Sequence, residues 1–317
     1  MKTIFGLFLV ALMALSPPCL AQEKKLHVVF IPKSSDQVFW DLMREGVDRA
    51  VREDGNVKLT WRGPAHNDDT DSQIRILQAY TQPDVDAILI TPTDRARLVE
   101  PVRAATALGI KVVVVDSALD GNYHSNMVAT DNVRGGKQAA KHLADILGNQ
   151  GRVVVLRTVA GSASTDERAE GFISYLKDNA PKITVVDDVY GGGSTGKARH
   201  SAVQLLKQHP GVNGVFAVNE SSSDGMLRAL RDQKLAGKIR FVGFDSTDFL
   251  IQGLEQQEID GLVIQNPQQM GYLGVKTVLA AVRNAPLKDK TVYTDTTLLT
   301  RENVRSADIK KLICVRC

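Results

Sequence analysis

The sequence predicts an α/β protein of about two domains, built on parallel sheets with helices on both faces. Three observations predict it. Short, β-branched apolar runs alternate with amphipathic stretches from residue 26 to residue 282. Some of those runs, such as Val112-Val113-Val114-Val115 and Val153-Val154-Val155-Leu156, are apolar without a break, as strands buried on both faces require. At 317 residues, 43% hydrophobic and 24% charged, the chain can bury a sizeable core and exceeds one average domain.

The elements follow in order, each strand bounded by turn residues. A strand over 26–31 ends at Pro32-Lys33-Ser34, and an amphipathic helix follows over 39–52. A strand over 57–61, closed by Arg62-Gly63-Pro64, leads to a helix over 71–80. Strands over 87–91, 111–115 and 126–129 end at Pro92-Thr93-Asp94, Asp116-Ser117 and Thr130-Asp131-Asn132. A helix over 133–147 precedes the strand over 152–156, the polar segment Thr158 to Thr165 and a helix over 167–177. Next come a strand over 182–185, a helix over 197–208 and a strand over 214–218 that ends at Asn219-Glu220. A helix over 222–233, strands over 239–244 and 261–264 that end at Asp245-Ser246 and Gln265-Asn266, and a helix over 268–282 complete the series.

Ligands of open α/β sheets sit beyond the carboxyl ends of the strands. The residues at those ends are rich in carboxylate, amide and hydroxyl groups and poor in paired His or Cys. Such a set suits hydrogen bonding to hydroxyls better than metal or nucleophile chemistry. No metal site and no cofactor is expected. The six histidines are scattered, and there is no Gly-x-Ser-x-Gly elbow. Gly191 to Lys197 has the spacing of a phosphate-cradling loop, but Ala198 replaces the hydroxyl that would hold magnesium. A net charge of +3 without a run of like charges gives nucleic-acid binding little support.

The first residues read as an export signal. Lys2 precedes the apolar run Ile4 to Leu15, which ends at Pro17-Pro18-Cys19-Leu20-Ala21, so residues 1–21 are expected to be a cleaved signal peptide. Lipidation at Cys19 is the alternative, disfavoured by the two prolines. Cys314 and Cys317 then remain in the mature chain, as a local disulfide or two idle thiols.

Four segments in order, 129–137 (ATDNVRGGK), 166–172 (DERAEGF), 215–219 (VFAVN) and 242–245 (VGFD), resemble the type I periplasmic sugar-binding proteins of the ribose-binding branch. The likeness runs over roughly residues 26–300. It implies two similar lobes of parallel sheet flanked by helices, joined by a three-strand hinge, with the ligand in the cleft between them. One lobe would hold 24–130 plus 266–287 and the other 131–265 plus 291–299, leaving 300–317 as a tail. It further implies a non-enzymatic, monomeric periplasmic protein that closes on a small neutral sugar or polyol. The protein would deliver that ligand to the permease of an ABC transporter or, alternatively, present it to a chemoreceptor or sensor kinase. A transcription regulator with this core would carry a helix-turn-helix where the signal segment stands.

The resemblance also assigns candidate ligand-binding residues. Asp116 would accept two sugar hydroxyls, unless it serves as a helix N-cap. Arg168 would offer its planar fork to a ring oxygen and a hydroxyl, against the alternative of a surface ion pair with Asp166 or Glu170. Asn219, Asp245 and Gln265 match further contacts. Phe39 and Trp40 match aromatic rings that stack on the sugar's apolar faces, although one of them could pack in the core, as Trp61 is expected to. There are also departures: Ser117 stands where ribose binders carry Arg, Gly193 where they carry an aromatic, Lys33 near a small hydroxyl, and Gln37 in place of a shorter amide. These losses predict a larger, less polar pocket that disfavours ribose itself. With Asp116 and Asp245 facing Arg168, the cleft should be acidic by one charge unless Lys33 joins it, and should exclude anions. A glycosidase role for the two carboxylates is disfavoured, because Arg168 would keep both ionised.

Overall fold

The computed structural model describes residues 24–287 and 289–313. The expected signal peptide, Cys314 and Cys317 lie outside the described residues. The first lobe is built from β1 (Leu26–Ile31), α1 (Val38–Asp54), β2 (Val57–Trp61), α2 (Thr70–Ala79), β3 (Ala87–Ile90), α3 (Val99–Ala107), β4 (Lys111–Val115) and β5 (Asn126–Thr130). The chain then crosses into the second lobe. That lobe holds α4 (Asn132–Ile146), β6 (Gln150–Arg157), α5 (Ala163–Asn179), β7 (Lys182–Tyr190), α6 (Thr195–Gln208), β8 (Gly214–Ala217), α7 (Glu220–Asp232), β9 (Arg240–Phe244), α8 (Asp248–Glu255) and β10 (Gly261–Ile264). It returns through α9 (Pro267–Val282) and β11 (Thr291–Thr294), and crosses once more to β12 (Thr297–Leu299) and α10 (Ala307–Ile313).

The two sheets run β11-β5-β4-β3-β1-β2 and β12-β10-β9-β8-β6-β7. Apart from β12, which pairs antiparallel with β10, all strands are parallel, and the two orders correspond strand for strand. Both faces of each sheet are covered, so alternate residues of one strand serve different cores. Val28 and Phe30 pack with α1 and α9, whereas Val29 and Ile31 face the opposite cluster around Leu77 and Val102. Those two demands leave no polar position from Val28 to Ile31, which is why that stretch reads as an apolar run.

Three differences from the sequence-based expectation bear on the site. Residues 291–299 do not form one strand of the second lobe: β11 joins β5 of the first sheet and β12 joins the second, so the third hinge crossing falls inside that segment. The helix expected over 167–177 begins at Ala163, which puts Arg168 in its second turn rather than at its start. Helices α3, α8 and α10 were not foreseen. They are seven to nine residues long and bury only one or two side chains each, too few to mark a helical period.

Candidate functional site

Corresponding strand ends of the two lobes face each other across a cleft. Asp116 follows β4 and Asp245 follows β9, the equivalent strands of the two sheets. Both adopt the left-handed backbone conformation, with φ of 65° and 66°. Each donates its backbone N–H across the sheet to a carbonyl, of Val128 and of Val263 respectively. Asp tolerates this region better than most residues, and strained backbone of this kind gathers at functional sites. The strand ends thus aim two carboxylates from opposite lobes into one buried space.

That space encloses about 330 Å³, part of it open to solvent. Of the ten sequence-predicted residues, Lys33, Gln37, Phe39, Trp40, Asp116, Arg168, Asn219, Asp245 and Gln265 line it; Ser117 does not. Arg168 is 2% exposed. Its Nε donates to Asn132 Oδ1 at 2.9 Å, its Nη1 donates to the Val218 carbonyl at 3.0 Å, and the guanidinium lies 4.0 Å above the Phe244 ring centroid. Nη1 stands 3.8 Å from Asp245 Oδ2, so the fork is fixed in place while Nη2 is used by neither bond. Asp245 Oδ1 accepts from Gln265 Nε2 at 2.6 Å, and Gln265 Oε1 accepts from the Thr130 hydroxyl at 2.7 Å, which ties the carboxylate to two hinge strands. Asn219 caps α7 through Oδ1 and also accepts from Thr158. Phe39 and Trp40 pack edge to face at 4.8 Å and form the aromatic wall, with the indole N–H donating to Ser34. Trp61 stacks on Phe30 away from the cavity.

The lobes touch around this space. Lys33, 4% exposed, reaches from the end of β1 to donate to the hydroxyls of Ser162 and Ser164 at 2.8 and 2.9 Å, with Asp116 at 3.9 Å. The Ser117 hydroxyl accepts from the Ser164 N–H at 3.1 Å. Gly193 meets the first lobe so closely that a Cβ there would lie 2.5 Å from the Asp68 nitrogen. Lys197, next on that glycine-rich segment, donates to Asp68 at 2.6 Å, so the segment serves as a rim contact between lobes.

These contacts bear on three expectations. They remove the grounds given for a larger, less polar pocket. Ser117 is consumed by an interlobe bond, the space beside Gly193 is taken by Asp68, and Lys33 brings an ammonium into the wall. The acidic excess also disappears, because Lys33 and Arg168 now face Asp116 and Asp245. Burial raises Asp116 and Asp245 above the ordinary carboxylate value, and Lys33 and Arg168 oppose it. Burial likewise pushes Lys33 down to about 8, with Asp116 opposing, and lowers Arg168.

Sequence reasoning missed five lining residues: Asn67, Thr158, Ser162, Ser164 and Thr165. The last four lie in the polar segment after β6, whose position at a strand end was the available signal. Asn67, between β2 and α2, gave none. Two buried atoms in this wall have no hydrogen-bond partner among the described residues, the Gln37 amide nitrogen and the Asn67 side-chain oxygen. They are one donor and one acceptor, and buried groups of this kind ordinarily find a partner. Among the described residues no group of three or more His, Cys, Asp or Glu side chains is placed to hold a metal, and no helix is long and apolar enough to cross a membrane.

This architecture matches known proteins over its whole extent. The ribose import binding protein of Bacillus subtilis is 28% identical over 278 residues, spanning 86% of this chain and 88% of that protein. A periplasmic component of an ABC-type sugar transport system from Hahella chejuensis superposes with a TM-score of 0.83 at 35% identity, covering 86% of this chain and 99% of that one. A carbohydrate transporter solute-binding protein from Agrobacterium radiobacter, solved in complex with D-arabinose, gives 0.88 at 30% identity over 92% and 100% of the two chains. These relatives are binding proteins, not enzymes. Residues 28–286 match the family model described as a periplasmic binding protein domain; with two lobes, a three-stranded hinge and a polar cleft between strand ends, the chain belongs to that family.

Proposed function

We propose that this protein is the exported solute-binding component of an ABC-type sugar transporter, which closes on one small neutral sugar or polyol and passes it unchanged to a membrane permease. The observation that carries the reading is the pair of unpartnered buried atoms, Gln37 Nε2 and Asn67 Oδ1, in a cavity that also offers an aromatic wall, two carboxylates and a fixed guanidinium. A sugar presents that combination in reverse, with apolar C–H faces for Phe39 and Trp40 and hydroxyls that donate to carboxylates and accept from amide and guanidinium groups. The relatives named for ribose and solved with D-arabinose support a monosaccharide as the ligand class. With two cations against two carboxylates, neutrality of the ligand follows from charge balance rather than from an acidic cleft.

A thermal-shift panel of pentoses, hexoses, cyclic and linear polyols, sugar acids and amino acids tests this, since a ligand that binds the native state raises its melting point by mass action. Neutral sugars or polyols should produce the largest shifts. Stabilisation by sugar acids or amino acids alone would overturn the assignment. Export belongs to the same reading: residues 1–21 are removed and the mature, monomeric chain begins near Gln22, which the intact mass of the periplasmic fraction tests.

A further inference from the structure

One contact between the lobes is made by a carboxylate that does not itself line the cavity. Helix α1 has no cap of its own: Gln37 is extended at the N-cap position and its side chain makes no capping bond. Helices α2, α4, α6, α7, α8 and α9 are each capped by a side chain of their own N-cap residue, namely Asp69, Asp131, Ser194, Asn219, Thr247 and Asn266. The first two amides of α1 are instead taken by the opposite lobe. Val38 N–H donates to Glu220 Oε1 at 3.0 Å and Phe39 N–H to Glu220 Oε2 at 2.9 Å. Glu220 is the first residue of α7 and is 5% exposed. Its carboxylate therefore lies at the positive ends of two helices, one from each lobe.

The placement matters because of what those two amides carry. Phe39 and Trp40 occupy the turn that Glu220 holds, and they are the aromatic wall of the cavity. On its other side, the Glu220 N–H donates to Asp245 Oδ2 at 2.9 Å, the same oxygen that faces Arg168. Consecutive hydrogen bonds thus join the cavity's carboxylate, the interlobe contact and the ring wall. Burial together with the facing Asp245 and Asp224 pushes the Glu220 carboxyl well above its usual range, and the two α1 amides pull it back. A carboxylate so costly to bury is paired only while the lobes are together.

We propose that Glu220 is a positioning residue that latches the closed form by capping α1 from the opposite lobe, setting the rate at which the ligand escapes. The proposal rests on the hinge-closing sugar-binding reading above. Opening separates the carboxylate from both amides, so the bond is made on closure and broken on release. Truncating one partner of a buried, charge-assisted pair acts mainly on dissociation.

The test uses the whole mature protein with D-ribose, D-arabinose and the other neutral sugars and polyols of the thermal-shift panel, and takes forward whichever stabilises it most. In the wild type, sugar should slow the hydrogen exchange of the Val38 and Phe39 amides. Glu220→Gln should release the sugar about ten- to a hundredfold faster with little change in association rate, lose that added protection, and keep the melting point of the sugar-free protein. Glu220→Asp, which retains the charge on a shorter arm, should fall between. Equal release rates in wild type and Glu220→Gln, or wild-type Val38 and Phe39 amides that gain no protection from a sugar that compacts the protein, would overturn the latch and leave the binding reading intact. If Glu220→Gln does not fold, the wild-type exchange and Glu220→Asp decide the matter. Wild-type protein that none of these sugars or polyols stabilises or compacts would remove both readings together.

Discussion

Arg168 is fixed by Asn132, the Val218 carbonyl and the Phe244 ring before any ligand arrives, so its charge is presented without further ordering. A hydrogen bond to a charged group contributes about 1.5–3 kcal/mol, and removing Arg168 also strands Asp245 in a closed cleft. Arg168→Ala should therefore weaken the best neutral sugar roughly ten- to a few hundred-fold by calorimetry. An unchanged affinity would falsify its role at the site. Lys33 gives a pH dependence of definite sign. Its ammonium faces Asp116, Ser162 and Ser164, with Arg168, Asp166 and Glu167 nearby, and burial lowers it from the ordinary 10.5 to about 8. In open lobes it would be solvated and ordinary, so closure releases a proton. The resulting stabilisation of the closed form is complete above the open-state value and is lost as pH falls to about 8. Sugar affinity should rise about tenfold from roughly pH 8 to 9.5, with proton release visible in buffers of different ionisation enthalpy. Lys33→Met should flatten that slope.

Between elements, close backbone approach decides where side chains point. Gly136 of α4 lies against α5 so tightly that a Cβ would stand 2.0 Å from the Arg168 carbonyl oxygen. Glycine there lets the two helices approach, and that approach sets the depth from which Arg168 reaches the cavity. Gly136→Ala must push the helices apart at a cost of about 1–3 kcal/mol. The expected result is a lower melting point together with weaker sugar binding. At the rim, Gly193→Phe would restore the aromatic of the ribose-binding branch into space that Asp68 already fills. It should hinder closure and speed sugar release in stopped-flow measurements; slower release would mean that the ring finds room in the cavity instead.

For the molecule as a whole, the two lobes are joined by three short crossings, at 130–132, 264–267 and 294–297. Such crossings absorb rotation in a few backbone angles and leave the packed cores of each lobe unaltered. The hydrogen bonds that cross the cleft include Lys33 with Ser162 and Ser164, Ser117 with Ser164, Glu220 with α1, and Asp68 with Lys197. A ligand that binds between the lobes shifts the equilibrium towards the closed form by its differential affinity for that form. Solution scattering should accordingly give a larger radius of gyration for the sugar-free protein than for the sugar complex. Identical curves under saturating sugar would contradict hinge closure.

What the sequence by itself determined is the part governed by local pattern. The strand and helix rhythm, the buried parallel strands and the rows of polar residues after them were legible because each sheet face must bury alternate side chains, which leaves a periodic trace. Nine of the ten candidate residues reached the cavity for the same reason: they follow strands or open helices whose positions that trace reveals. What only the tertiary structure decided is how the two lobes meet. Whether Lys33 balances the carboxylates, whether Ser117 faces a ligand or Ser164, whether Gly193 leaves a gap or admits Asp68, and which residue caps α1 depend on groups far apart in the chain. Such contacts carry no spacing that a single sequence can display, because burial, charge compensation and helix capping across a cleft are properties of the two surfaces once brought together.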